Sequence, residues 1–190
     1  MTAAQATALA PAQLDRANLY LDQTRNGFIG AIKNLSDAQW SFKPSPNRWS
    51  IAEIAEHVLF VHERVLGPTR EKLASATPGD TQAIDDFVIY RFADRFTKVT
   101  APQPLNPAGG LSRAQAMERA VVNWDRLRDF LESTPDLREH AIESLPLQLL
   151  SGGAFKMMDG YQWILAAAAH SERHTKQILE VIADERFPLK

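Results

Sequence analysis

A chain of 190 residues is long enough for one well-filled core and short for two, and its 45% hydrophobic and 23% charged fractions are those of an ordinary globular protein. A formal net charge of −2, with no run of Lys or Arg, gives no concentrated basic surface for a nucleic acid. The absence of cysteine excludes disulfides, thiolate metal sites and a cysteine nucleophile, and fits a reducing compartment.

The opening MTAAQATALAPAQ lacks the basic start and long apolar run of a secretory signal. Residues 1–11 are therefore expected to be a frayed tail on a single domain of residues 12–190. The first helix is predicted from about Ala12 to Leu35, where Leu14, Ala17, Leu21, Thr24, Phe28, Ile32 and Leu35 recur by threes and fours. Pro11 sits where proline is tolerated, at a helix start. A loop from Ser36 to Arg48 follows, with Pro44 and Pro46 and the apolar anchors Trp40 and Phe42.

Ser50 and Glu53 form the S-x-x-E pattern of a capping box, which opens a second helix with the stripe Ile51, Ile54, Val58, Val61 and Val65. Gly67-Pro68 should kink or interrupt it, because proline has no N–H to give and clashes with the preceding turn. Between residues 76 and 110, DDFVIYRFADRF reads as either a short helix or an extended piece, and APQPLNPAGG as a loop. A third helix is predicted from Ser112 to about Glu132, with Ala116, Ala120, Trp124, Leu127 and Leu131 inward. A second irregular stretch, including LPLQLLSGGAFKMM, leads to Asp159. Asp159 and Gln162 repeat a capping pattern for a fourth helix, to about Asp184. The apolar run WILAAAAH within it is far too short to cross a bilayer. With no hairpin signal and no internal repeat, the expectation is an all-α four-helix bundle in the cytoplasm.

Two of the five histidines lie in His170-Ser-Glu-Arg-His174. On a helix, positions i and i+4 project from one face about a turn apart, close enough to share a metal ion. Trp163, Ala167, His170, His174, Gln177 and Val181 fall on one stripe, so the pair is expected to face the core. Two buried imidazoles need partners, since an unsatisfied buried polar group costs roughly 1–3 kcal/mol. A metal satisfies both at once. Taken alone, an H-x3-H pair is more often two half-exposed histidines, and a lone inward histidine is more often a hydrogen-bonded core residue. A third ligand from another helix completes the argument, and His57, on the stripe Ile54, His57, Val61, is the best placed. His62 lies about 140° further round the helix, and His140 sits in an irregular segment.

Two blocks of the chain, SFKPSPNRWSIAEIAEHV and YQWILAAAAHSERHTKQILEV, resemble the DinB/YfiT-like superfamily of bacterial four-helix proteins. The first is similar to the family's proline-containing lead-in, the Trp-Ser helix start and the first ligand histidine, which matches His57. The second is similar to its last helix, with the paired histidines at His170 and His174 and the following glutamine at Gln177. The resemblance spans roughly Leu14 to Ile182 and finds no match in residues 76–110. It implies a metal-dependent hydrolase or a thiol-dependent S-transferase, often a homodimer.

Three neutral imidazoles leave a divalent ion its full charge and an open position, the pattern of catalytic rather than closed structural zinc sites. Such an ion can make water or a thiol acidic at neutral pH, for hydrolysis or for transfer of a low-molecular-weight thiol onto a small-molecule substrate. Zinc or nickel leads the choice of metal, and iron and cobalt also accept imidazole. Gln177 is a candidate to orient a ligand histidine. Glu53 faces the same way as His57, although its place after Ser50 favours the cap. Trp49, Trp163, Phe155, Met157 and Met158 are candidate cavity walls, and the small residues Ala166 to Ala169 leave room for a substrate or for close packing. Glu172 and Arg173 should point away, and Ser171 has no base positioned for it. The alternative is a non-catalytic, metal-stabilised bundle acting as an interaction or stress protein.

Overall fold

Side chains that satisfy backbone N–H groups start three of the long helices where the sequence places them. The computed structural model describes residues 8–79, 84–95 and 107–189. Ser50 Oγ accepts from the Glu53 N–H at 3.2 Å, and Glu53 Oε2 accepts from the Ser50 N–H at 2.7 Å, opening α3 (Ile51–Arg64). Ser112 and Gln115 do the same for α6 (Arg113–Ser133), and Asp159 and Gln162 for α8 (Gly160–Ile182). The first long helix, α1 (Pro11–Ile32), begins on Pro11. Among the described residues, α2 (Asp37–Ser41), α4 (Arg70–Ser75), α5 (Phe87–Tyr90) and α7 (Leu145–Leu150) are short. The protein is mostly helical, an all-α fold.

The long helices pack in a cycle: α1 lies against α6 and α8, and α3 lies against the same two. The histidine-bearing helices α3 and α8 are therefore direct neighbours. The four long helices bury Phe28, Ile54, Leu59, Trp124, Leu127 and Tyr161. Trp124 Nε1 donates to Thr24 Oγ1 at 3.1 Å, so even the indole's polar edge is satisfied inside the core. An Arg128–Asp22 ion pair ties α6 to α1 at the surface.

Four local features refine the expectations drawn from the sequence. As expected, Gly67-Pro68 interrupts the α-helix: α3 stops at Arg64, Val65–Thr69 widens into a single π-helical stretch that absorbs the proline, and α4 continues from it. The loop after α1 contains α2, capped by Ser36, whose Oγ accepts from Gln39 at 3.3 Å and which buries Trp40. The stretch before α8 contains α7 and a short antiparallel pair, β1 (Ala141–Glu143) with β2 (Met157–Asp159), in the register Ile142 opposite Met158. Three residues per strand are too few for alternation to register as a signal. Of the two options for DDFVIYRFADRF, the helix holds: α5 runs into a 3₁₀ turn at Arg91–Ala93. Most of the APQPLNPAGG loop lies outside the described residues.

The α5 segment is clamped onto the start of α8. Arg138 bonds Asp86 at 2.6 and 2.9 Å and Asp159 at 2.9 Å, and its guanidinium lies 4.1 Å above the Tyr161 ring. No helix among the described residues is long and apolar enough to cross a membrane.

Candidate metal centre

Residues i and i+4 on α8 set His170 and His174 one above the other, and the α3–α8 contact brings His57 to meet them. His57 Nε2 lies 3.1 Å from His170 Nε2, which lies 3.1 Å from His174 Nε2. One nitrogen from each ring thus converges, all within 4.8 Å of one another. Nitrogens around a tetrahedral zinc with bonds of about 2.0–2.1 Å are separated by ~3.3 Å, close to the spacing seen here. His57 and His174 are buried and His170 is half-buried, so the cluster stands at the edge of the core.

Two of the rings, His170 and His174, are held in the protonation state a metal requires. Burial pushes the His174 pKa down to about 3, with His57 adding to the effect, and the Gln177 hydrogen bond only partly opposes it. Burial also holds His170 well below the ordinary histidine range, reinforced by His174 and His57. A neutral imidazole offers a lone pair, and convergent lone pairs repel unless something positive lies between them. The residues present fit a divalent transition metal, and this cluster could bind one.

The other candidates divide. Trp49, just before the α3 cap, is at the centre, its ring 4.9 Å from that of His57 and 6.3 Å from that of His174. Gln177 is there too, its Oε1 2.8 Å from His174 Nδ1. Glu53 is not: its carboxylate is taken up by Ser50 and by Lys43 at 2.7 Å. Burial would raise the Glu53 pKa, but the bonds from Lys43 and Ser50 leave it below the usual value. Trp163, two turns before His170 on α8, is half-buried, and Met158 is in the core. Ala166 to Ala169 are all buried, consistent with close helix packing. Glu172 turns to α1, accepting from Tyr20 Oη at 2.7 Å.

The expectation that no base stands near Ser171 needs correction. His62 Nε2 lies 2.6 Å from Ser171 Oγ, and both side chains are fully buried. Ser171 donates its hydroxyl proton to the Ala167 carbonyl at 2.8 Å, so it receives the bond from His62 rather than losing a proton to it. The pair is a core hydrogen bond joining α3 to α8, with the His62 ring edge-on to Trp124 at 4.3 Å. His140 is far from this work, bonded to the Ala76 carbonyl at 2.8 Å.

Comparison with known proteins identifies the family. The sequence pattern of the DinB superfamily matches residues 20–178, which include all three histidines. The uncharacterized protein YuaE of Bacillus subtilis (strain 168) is 27% identical over 151 residues, covering 79% of this chain and 87% of YuaE. No solved structure matches. With the matched span covering most of the chain and all three histidines inside it, the protein belongs to the DinB superfamily.

Proposed function

We propose that this protein is a metal-dependent enzyme in which His57, His170 and His174 hold one divalent transition metal, zinc or nickel, for hydrolysis or thiol transfer on a small-molecule substrate. The carrying observation is the convergence of three imidazole Nε2 atoms with no described carboxylate completing the set. Three ligands leave room for a substrate atom, and half-buried His170 gives the cluster a side nearer the surface. Bound there, the ion supplies Lewis acidity that makes water or a thiol acidic near neutral pH. The protein's own contribution is orientation by Gln177 and a hydrophobic wall from Trp49. A cytoplasmic homodimer is the setting this reading expects.

The test is metal content before and after reconstitution. The wild type should carry one zinc or nickel per chain by elemental analysis, and His170→Ala should lose it together with any esterase, amidase or thiol-transfer activity. A wild type that takes up no stoichiometric metal would remove the basis of the reading. The second reading, a metal-stabilised bundle without catalysis, draws on Glu53, the carboxylate the sequence placed on the His57 face, being occupied as a cap. Retained metal with no exchangeable ligand position would favour it.

A further inference from the structure

Arg95 lies in a segment that carries no recognisable motif, yet its guanidinium reaches the edge of the histidine cluster. It leaves the α5 segment just past the Arg91–Ala93 turn, and Lys176 Nζ on α8 donates to the Ala93 carbonyl at 3.3 Å, fixing that segment against the helix. Arg95 then uses its fork in two directions. Nε and one terminal nitrogen donate to Glu180 at 2.9 and 2.6 Å, while the other terminal nitrogen donates to Gln177 Oε1 at 3.2 Å. The same Oε1 lies 2.8 Å from His174 Nδ1. His174, Gln177 and Glu180 follow one another at intervals of three on one face of α8.

Donor and acceptor chemistry makes this chain of contacts directional. Arginine can only donate, so the Gln177 atom facing it must be the carbonyl oxygen and not the amide nitrogen. An oxygen facing His174 Nδ1 can only accept, so Nδ1 carries the proton and Nε2 is left as the bare lone pair. Without Arg95 the amide is able to turn over and present NH₂ to Nδ1, which reverses the tautomer and puts a proton on the nitrogen facing the cluster. His170 has no comparable arrangement: its Nδ1 is buried without a hydrogen-bond partner among the described residues.

We infer that Arg95, held by Glu180, is a positioning residue that locks the Gln177 amide and thereby the metal-binding tautomer of His174. This deepens the proposed function and rests on the same three histidines. A lysine cannot substitute, because a point ammonium does not span Glu180 and Gln177 as a planar fork does.

A double-mutant cycle on zinc affinity, paired with NMR on the metal-free protein, tests it. Loss of a partner that orients a ligand histidine typically weakens metal binding 10–100-fold, so Gln177→Ala should weaken zinc by about that factor and Arg95→Ala by about 10-fold. Adding Arg95→Ala to Gln177→Ala should cost nothing further, since the arginine acts through the glutamine. Two-bond ¹⁵N–¹H correlations should show His174 as the Nδ1–H tautomer in the metal-free wild type and a mixture in Arg95→Ala. Glu180→Gln, which keeps the side-chain shape, should move both readouts the same way by less. An Arg95→Ala loss that persists undiminished in the Gln177→Ala background overturns the inference, as does an unchanged His174 tautomer. If the wild type binds no zinc at all, the metal reading fails, while the tautomer measurement still decides the role of Arg95.

Discussion

His62 shows how one residue can be structural and still leave a measurable signature. Its ring is fully buried between Trp124 and Ser171, and burial lowers its pKa to about 3, with only a partial offset from the Ala167 carbonyl. An unfolded histidine titrates near 6.5, so between roughly pH 6.5 and pH 3 the unfolded chain binds a proton that the folded one refuses. Stability is thus full above that window and falls as the pH drops through it, by about 1.4 kcal/mol per pH unit for this one group. Urea unfolding at pH 7 and pH 5 should show a smaller drop in His62→Leu than in wild type, by about 2 kcal/mol. Equal drops in the two proteins would show that His62 already exchanges protons freely in the fold. Its role was not legible beforehand, because the sequence reading assumed one inward stripe on α3. In the fold Ala52, Ala55, Glu56, His57, Leu59 and His62 are all buried, so that helix is enclosed on most sides and angular position alone does not sort ligand from core.

Among the elements, α8 depends on a close approach at its first residue. Gly160 donates its N–H to the Leu137 carbonyl at 2.8 Å, and a Cβ at that position would stand 2.6 Å from Leu137 Cδ2 and 3.1 Å from Leu137 O. Glycine-to-alanine changes in helices ordinarily stabilise by about 0.5–1 kcal/mol. Here the overlap with backbone oxygen should reverse the sign, and Gly160→Ala should lose about 1–2 kcal/mol in denaturant titration. A variant more stable than wild type would mean that Leu137 yields at no cost. The same position explains why the helix start was readable while its surroundings were not. Asp159 and Gln162 announce the cap in sequence, but Leu137 belongs to a turn brought in by the β1–β2 pair, whose three-residue strands leave no periodic trace, and by the Arg138–Asp159 ion pair.

Across the whole molecule, the long helices were legible because their apolar spacing persists for many turns and polar caps mark their starts. The candidate metal centre was legible in part. His170 and His174 announce themselves by spacing within α8, whereas His57 joins them only through the packing of α3 on α8, which no local pattern contains. Arg95 and Glu180 were invisible because their relation to His174 runs through a side-chain amide supplied with a partner from a distant segment. What the fold adds is convergence: two helices distant in sequence aim three imidazole nitrogens at one point.

X-ray absorption at the zinc edge of the reconstituted protein examines that convergence directly. Three imidazole nitrogens at about 2.0–2.1 Å, plus one oxygen ligand from solvent, are expected, with one imidazole lost in His57→Ala. A wild-type shell with two imidazoles or fewer, or a spectrum unchanged by His57→Ala, would contradict the account.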